Sequence, residues 1–301
     1  MNSVTIIIST YNGSKHLDRQ LKSILSQINV DMHIYIRDDG STDDSTRDIL
    51  ERYKQNYSNI DVDFGKNVGW QQSFMLGLEA APKADFYAFS DQDDLWFDNK
   101  LATAILSLKK EDPQKALLFH CNKISTDQKL KPLSNQIIRL PKPINHQNAL
   151  VQEYAQGCSI VINETARNLI LKKRPLDNTP HDYWCGLICY LFGKIIYDAQ
   201  PYFYHISYGL NASGEGHLWK SRLLRLKSFF AKQNVYHIPI EQLLEGYLHL
   251  LDKEDKDFLV KLQKYKKSIT TKLSILFSSK FRRNSILGTL SLKLAILLNK
   301  I

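Results

Sequence analysis

Short apolar segments alternate with helix-like segments through the first half of the sequence, and no other feature constrains the fold as strongly. Segments that predict strands occur at Val4–Ile8, His33–Arg37 and Phe86–Phe89. Between them, apolar residues recur at helical spacing, as in residues 15–27. This alternation is typical of an open α/β sheet. We therefore expect an α/β fold in which helices flank a mostly parallel central sheet.

The C-terminal part of the sequence differs, because helical periodicity dominates and basic residues are in excess. Residues 217–301 contain 17 Lys and Arg against 6 Asp and Glu, whereas residues 1–216 contain 23 and 25. A chain of 301 residues is long enough to bury a sizeable core and carry an appendage. We expect a sheet domain over residues 1–216 and a basic helical extension over residues 217–301.

The basic extension is compatible with more than one partner. Its last segment, residues 274–301, combines leucines and basic side chains in one amphipathic helical pattern. This pattern predicts peripheral contact with an anionic membrane. A packed helical subdomain that forms a homodimer explains the pattern equally well, and so does a solvated basic face. Positive charge also attracts nucleic acid, although we do not expect nucleic acid as the partner.

The cysteines and the N-terminal sequence bear on the cellular compartment. Cys121, Cys158, Cys185 and Cys189 show no Cys-x-x-Cys spacing, which favours reduced, partly buried thiols over disulfides or a zinc site. No secretion signal precedes the first strand, and no apolar run is long enough for a membrane helix. We expect a cytoplasmic protein, with a peripheral position on the inner face of the cell membrane as an alternative.

Three carboxylate sites fall where predicted strands end or where a helix begins. They are Asp38–Asp39, Asp91–Asp94, and Asp182 just before an apolar helix. Open α/β sheets bind ligands in a crevice outside the carboxyl ends of their strands. We therefore expect these carboxylates to face a ligand site.

Asp91 and Asp93 leave one turn with a single residue between them. Carboxylates repel a nucleotide diphosphate unless a divalent cation lies between them, and Mg²⁺ or Mn²⁺ accepts oxygen ligands from both groups. The spacing lets one carboxylate bind ribose hydroxyls while the other reaches the metal. The Asp-x-Asp tripeptide is also common in surface turns and helix caps, so its context decides its meaning.

Three motifs provide that context. In chain order they are Ile8–Gly13 (Ile-Ser-Thr-Tyr-Asn-Gly), Asp38–Ser41 (Asp-Asp-Gly-Ser) and Ser90–Trp96 (Ser-Asp-Gln-Asp-Asp-Leu-Trp). Together they resemble the inverting family 2 glycosyltransferases. The third motif is especially similar to that of bacterial rhamnosyltransferases that build surface polysaccharides.

This resemblance implies a glycosyltransferase A type of fold, with the helical segments as a C-terminal extension. It also implies transfer of a sugar from a nucleotide diphosphate to a glycan or lipid-linked oligosaccharide, with Mg²⁺ or Mn²⁺ as cofactor. The leading donor is dTDP-rhamnose. The alternatives are a hexose from a uridine diphosphate donor, and nucleotide-sugar binding without turnover.

The resemblance further implies roles for individual residues of the motifs. Thr10 and Tyr11 would hold the nucleotide base, and Asp39 would accept the N3 hydrogen of uracil or thymine. Asp91 would contact the ribose, and Asp93 would bind the metal. If no ligand binds here, core packing explains Tyr11 and a helix cap explains residues 38–41.

Inverting transfer needs a general base that takes the proton of the acceptor hydroxyl. Asp182, in the sequence His181-Asp182-Tyr183-Trp184, resembles the base-bearing segment of the family, which lies at the start of a helix. Its alternative role is the N-cap of that helix, which Asp fills well.

One segment departs from the family pattern. Many relatives have Tyr-Arg-x-His near the end of the catalytic domain, and its histidine approaches the metal or the diphosphate. Here the sequence reads Tyr204-His205-Ile206-Ser207, so Ser207 takes the place of that histidine. His205 is either a substitute ligand or a strand histidine. The glycines of residues 209–216 predict a mobile loop over the donor.

Overall fold

A computed structural model describes residues 2–134, 142–208, 229–231 and 234–301. The expected domain boundary at residue 216 and the glycine-rich segment of residues 209–216 lie outside the described residues.

The described residues form two compact units. The first unit contains residues 2–134 and 155–207, and the second contains residues 142–154 with the described residues from 208 onward. Residues 142–154 therefore belong with the C-terminal helices rather than with the sheet.

The first unit is built on one sheet of eight strands. In chain order the strands are β1 (Ser3–Thr10), β2 (Asp31–Asp38), β3 (Ile60–Phe64), β4 (Phe86–Asp91), β5 (Leu95–Trp96), β6 (Leu117–Thr126), β7 (Val161–Asn163) and β8 (Lys194–Ile206). Their order in the sheet is β3-β2-β1-β4-β7-β6-β8-β5. Strand β1 pairs in parallel with β2 and with β4, β2 pairs in parallel with β3, and β6 pairs in parallel with β8. Strand β7 is antiparallel to β4 and β6, and β5 is antiparallel to β8.

Eleven α-helices lie in the described residues. They are α1 (Leu17–Leu25), α2 (Asp44–Asn56), α3 (Trp70–Ala80), α4 (Lys100–Leu108), α5 (His146–Ala149), α6 (Glu164–Leu171), α7 (His181–Phe192), α8 (Ile240–Tyr247), α9 (Lys253–Lys264), α10 (Ile269–Leu276) and α11 (Ile286–Leu297). Helix α5 and helices α8 to α11 belong to the second unit. None of the described helices has the length and apolarity needed to span a membrane.

Strand β1 is covered on both faces, which explains its continuous apolar sequence. Ile6 and Ile8 belong to a core that also contains Leu21 of α1. Ile7 points to the other face, where a β-carbon on Gly77 of α3 would lie 2.7 Å from its Cγ2 atom. Glycine therefore lets α3 approach the sheet closely, and the helices on the two faces fix the position of β1.

The structure confirms the expected α/β fold with its mostly parallel sheet. It differs from the sequence prediction near the end of the first unit. The apolar segments at residues 195–197 and 202–205 predict two strands, whereas β8 is continuous through both. A register shift in the pairing with β6, between Cys121 and Asn122, leaves Ala199 and Gln200 out of the ladder. All four cysteines are buried, free thiols.

In the second unit, His146 of α5 pairs with Asp255 of α9. The Nδ1 atom of His146 lies 2.5 Å from Oδ2 of Asp255. This hydrogen bond raises the pKa of His146 above the ordinary value of 6.5, although burial opposes the shift. A raised folded-state pKa stabilises the protein below the unfolded pKa, and the contribution disappears as the pH rises through the folded pKa. The pair therefore fastens residues 142–154 to α9 most strongly in mild acid.

We predict that His146→Gln lowers the free energy of unfolding by no more than about 1 kcal/mol, because the pair is partly exposed. The loss should be greatest below pH 6.5 and should vanish in alkaline solution. Urea unfolding across this pH range measures it. Asp255→Asn is the matched control and should remove the same pH dependence, with no further change in the double variant. An equal loss at acid and alkaline pH would contradict the assignment.

Candidate active site

The parallel strands β1, β2 and β4 bring the sequence motifs to one edge of the sheet. Thr10 lies opposite Asp38 in the β1–β2 register, and Ser9 lies opposite Asp91 in the β1–β4 register. Neighbouring parallel strands end at the same edge, where open α/β sheets bind ligands. The turns that carry the three motifs therefore lie side by side.

The side chain of Gln92 joins the first motif to the third. Its Oε1 accepts hydrogen bonds from the Thr10 hydroxyl at 2.7 Å and from the Tyr11 N–H at 3.0 Å. Its Nε2 donates to the Tyr11 carbonyl at 3.3 Å. The middle residue of the Asp-x-Asp tripeptide thus holds the two candidate base-binding residues in place.

Asp39 is buried and already hydrogen-bonded. Its Oδ1 pairs with Arg37 Nη1 at 2.5 Å and accepts the Val68 N–H at 3.0 Å. Its Oδ2 accepts the Gly69 N–H at 2.9 Å and has capacity for one more donor. The carboxylate is therefore held in a fixed orientation by the turn that follows β3.

The structure does not support the two non-ligand explanations for these motifs. The ring of Tyr11 is 45% exposed, so it is not core packing. The N-cap of α2 is Asp43, and Asp38 instead accepts hydrogen bonds from the N–H and hydroxyl of Ser41. Residues 38 and 39 are therefore not the cap of the following helix.

The third motif concentrates negative charge at the end of β4. Burial raises the pKa of Asp91 to about 8, and the charges of Asp94 and Asp93 add to the effect. Burial and Asp94 also raise the pKa of Asp93 to about 6. Burial is the largest cause of both pKa shifts, and repulsion from the neighbouring carboxylates adds to it.

A compact set of possible metal ligands lies in this motif. One ligand atom each from Asp91, Asp94 and Cys158 lies within 4.8 Å of the others. Burial keeps the pKa of the Cys158 thiol well above its usual range, and a neutral thiol is a poor ligand for Mg²⁺ or Mn²⁺. The carboxylates fit such a cation, and the buried Oδ2 of Asp94 has no hydrogen-bond partner among the described residues. Asp93 lies outside this set, so its metal role stays a prediction.

His205 approaches the acidic motif because β5 pairs with β8. Leu95 lies opposite Tyr204, and this places His205 Nδ1 2.9 Å from Asp94 Oδ1. Burial would lower the pKa of His205, but the hydrogen bond and charge of Asp94 outweigh it and raise that pKa. His205 is thus the partner of an acidic residue in the motif. Ser207, in contrast, uses its N–H to bond the Thr126 carbonyl.

Lys100 is a second cation near the acidic motif and was not anticipated from the sequence. It is fully buried at the start of α4, with its Nζ 3.4 Å from the centre of the Trp96 ring. Burial lowers the pKa of Lys100 to about 8, while Asp94 and two nearby thiols oppose the shift. Its Nζ has no hydrogen-bond partner among the described residues. In the sequence, its spacing of four residues from Ala104, which is buried in the same helix, was the feature that could have indicated an inward-facing position.

Asp182 lies in the first turn of α7, after the N-cap Pro180. Its Oδ1 accepts the Tyr183 N–H at 2.8 Å, and its Oδ2 accepts the Gly157 N–H at 3.2 Å. Asp182 is therefore not the N-cap of the helix. Its charge makes a small contribution to the raised pKa of Asp91, so the candidate base lies in the neighbourhood of the acidic motif.

His181 is the residue beside the candidate base that sequence reasoning missed. Its ring stacks on Phe74 with centroids 4.0 Å apart and also contacts Phe89. Burial lowers the pKa of His181 to about 4, so the ring is neutral near pH 7. Neither ring nitrogen has a hydrogen-bond partner among the described residues. A β-carbon on Gly157 would overlap the Nε2 atom, so glycine is required there.

A family model described as Glycosyl transferase family 2 matches residues 5–169 of this chain. The match covers more than half of the sequence and contains all three motifs. The chain therefore belongs to glycosyl transferase family 2, as the motifs indicated. The match ends before Asp182, so it does not test the candidate base.

Two curated relatives show the extent of the similarity. An uncharacterized glycosyltransferase of Nostoc sp. is 29% identical over 215 residues, which are 69% of this chain and 66% of that protein. The dTDP-rhamnosyl transferase RfbG of Shigella flexneri is 38% identical over 103 residues, which are 33% of this chain and 35% of that protein. The matches thus span less than two thirds of these relatives.

Solved structures show the same fold. Residues 1–349 of S. aureus TarS, in complex with UDP-GlcNAc, align with a TM-score of 0.56 and 17% identity. The alignment covers 92% of this chain and 77% of that one. At this level of identity the likeness concerns the fold, which is the glycosyltransferase A type expected from the motifs.

We predict that Gly157→Ala lowers the free energy of unfolding by about 1–3 kcal/mol, because the new methyl group overlaps the enclosed His181 ring. The same displacement should weaken the hydrogen bond that holds Asp182. Gly77→Ala is the control, since its methyl group meets Ile7 and not the site. If both variants lose stability but Gly157→Ala alone loses transfer activity, Gly157 positions Asp182. Full activity in Gly157→Ala would contradict this.

Proposed function

We propose that this protein is a metal-dependent, inverting glycosyltransferase that moves L-rhamnose from dTDP-rhamnose to a glycan or lipid-linked oligosaccharide in cell-surface polysaccharide synthesis. The observation that supports the proposal is the cluster of Asp91, Asp93 and Asp94 at the end of β4, which would bind a cation together with a diphosphate. The Shigella flexneri relative named as a dTDP-rhamnosyl transferase supports the choice of donor.

The nucleotide would bind along the turns after β1 and β2. The half-exposed ring of Tyr11 offers a stacking surface for the base, and Thr10 is fixed beside it by Gln92. Asp39 would accept the N3 hydrogen of thymine through its less occupied Oδ2. Asp91 would then bind the ribose hydroxyls.

Asp93 would hold Mg²⁺ or Mn²⁺, and the Oδ2 of Asp94, which has no hydrogen-bond partner in the described part of the chain, would be a further ligand. The cation would stabilise negative charge on the leaving diphosphate. His205 would keep Asp94 oriented through the bond to its other oxygen.

Asp182 would act as the general base. As the acceptor oxygen attacks the anomeric carbon, its proton passes to the carboxylate of Asp182. The bond between the anomeric carbon and the diphosphate oxygen breaks, and its electron pair leaves with the diphosphate. Attack opposite the leaving group inverts the configuration in one displacement.

We predict that Asp182→Asn reduces the rate of transfer by roughly 10²–10⁴-fold, the range typical for a general base, while the Kd for the donor is unchanged. Single-turnover kinetics and calorimetric donor titration measure the two effects. Asp48→Asn, at an exposed position in α2, should change neither quantity. Retained transfer by Asp182→Asn would remove this residue from the mechanism.

Asp93→Asn, in contrast to Asp182→Asn, should weaken binding of the donor. We expect it to abolish the part of donor affinity that depends on Mn²⁺, because the ligand charge is lost. Donor titration with Mn²⁺ and with a chelator separates this part from the rest. Equal dependence on Mn²⁺ in the variant and the unaltered protein would assign the metal to Asp91 and Asp94 alone.

The donor can be identified by stabilisation, since a ligand that binds the folded state raises Tm. With Mn²⁺ present, dTDP-rhamnose should raise Tm more than UDP-glucose or UDP-galactose at equal concentration. A larger shift with a uridine diphosphate sugar would favour the hexose alternative. Tight donor binding without transfer to any glycan or lipid-linked acceptor would favour a binding protein without turnover.

The proposed acceptor also gives the C-terminal residues a role. Residues 217–301, which carry the positive charge, would contact the acceptor, the membrane surface or a second copy of the chain. We place the protein in the cytoplasm, with peripheral contact at the inner face of the cell membrane.

A further inference from the structure

Helix α11 is apolar on every side, although the described residues bury only one side of it. Lys293 is its one charged residue. Leu292, Ala295 and Ile296 are buried in the second unit, whereas Ile286 and Leu287 are 81% and 78% exposed. A helix that is apolar all round is normally enclosed by protein or lipid. The outer side of α11 therefore lacks the apolar environment that its sequence requires.

Helix α10 runs antiparallel to α11 and has the same asymmetry. Lys272 Nζ donates to the Leu297 carbonyl at 3.3 Å, and Lys293 Nζ donates to the Ile275 carbonyl at 3.1 Å. Ile275 is buried between the helices, whereas Phe277, just after α10, is 79% exposed. These contacts fix the two helices as a hairpin.

The exposed apolar residues recur on the outer side of both helices. They are Ile269, Leu273, Phe277, Ile286, Leu287 and Leu290, here called the hairpin face. Within each helix the spacing of three or four residues keeps these side chains on one side. A group of this size is larger than the isolated apolar residues that ordinary protein surfaces carry.

The sequence segment that contains the hairpin face carries charge of one sign, although Lys280 in it pairs with Glu254 of α9. Residues 264–301 contain nine Lys and Arg and no Asp or Glu. Lys267 and Arg282, on either side of α10 in sequence, are exposed. A second copy of this face would bring cations against cations, which disfavours a two-fold dimer. An anionic lipid surface offers both an apolar layer and the opposite charge.

We infer that the hairpin face of α10 and α11 docks this protein on an anionic membrane. The 12 residues of α11 extend only about 18 Å, so the helix would lie in the plane of the surface with its outer side among the acyl chains. The inference deepens the proposed function, since it brings the enzyme to a lipid-linked acceptor. Vesicle binding is measured without donor or transfer, so the two proposals fail separately.

The test is flotation of the full chain with vesicles of phosphatidylcholine, with and without phosphatidylglycerol. The unaltered protein should float with the anionic vesicles and be released by added salt. The double variant Phe277→Ser with Leu287→Ser should lose partitioning by about tenfold or more, since each apolar side chain withdrawn from water contributes separately. Both positions are exposed, so the variant should keep its Tm.

Leu106→Ser is the matched control, because Leu106 is 65% exposed on α4 of the first unit, and its partitioning should not change. Lys267→Glu with Arg282→Glu should lose binding to the anionic vesicles alone.

Failure of the unaltered protein to float would overturn the inference, as would unchanged flotation of the Phe277 and Leu287 variant. A dimer that this variant dissociates, without vesicle binding, would assign the face to self-association. Thermal shift with donor on the same samples reports the proposed function independently.

Discussion

Crowding of like charges at the end of β4 is the constraint on which the site depends. The parallel sheet brings the motifs to one edge, and burial there makes each additional carboxylate costly. Two basic side chains lie near this charge: β8 brings His205 to one oxygen of Asp94, and Lys100, buried at the start of α4, is close enough for Asp94 to influence its pKa. The short strand β5, at the edge of the sheet, pairs with β8 and so brings His205 beside Asp94.

These basic groups offset the repulsion only in part, since burial and the neighbouring carboxylates still raise the pKa values of Asp91 and Asp93. Asp39 shows the contrasting case, since Arg37 and two backbone N–H groups satisfy it fully enough to fix its orientation. Asp91 has no such partners among the described residues, and burial together with the charges of Asp94 and Asp93 raises its pKa. A divalent cation can replace protons in such a cluster. The same edge of the sheet therefore combines a carboxylate of fixed orientation, Asp39, with a cluster of carboxylates that repel one another.

The part of the site that follows from local sequence was predictable. Strands β1 and β4 are buried on both faces, so their apolar runs identify them, and their parallel register brings their acidic and polar turns together. The partners of those turns were not predictable in the same way. Strand β5 has two residues and no periodicity to detect, so the approach of His205 to Asp94 was hidden. The pairing of Arg37 with Asp39 is local in sequence, because Arg37 lies near the end of β2 and Asp39 directly follows that strand.

The C-terminal helices show a different limit of sequence reasoning. Periodicity tells which residues share a side of a helix, but it does not tell which side the protein covers. For α11 the sequence is apolar all round, so a packed helical subdomain explains its inner side, where Leu292 and Ile296 are buried. Packing within the subdomain does not explain why Leu287 and the other residues of the outer side are apolar. Residues 264–301 contain basic but no acidic side chains. This charge favours an anionic lipid surface as the partner of the outer side, because the lipid headgroups attract the basic residues, whereas a second copy of the same face would repel them.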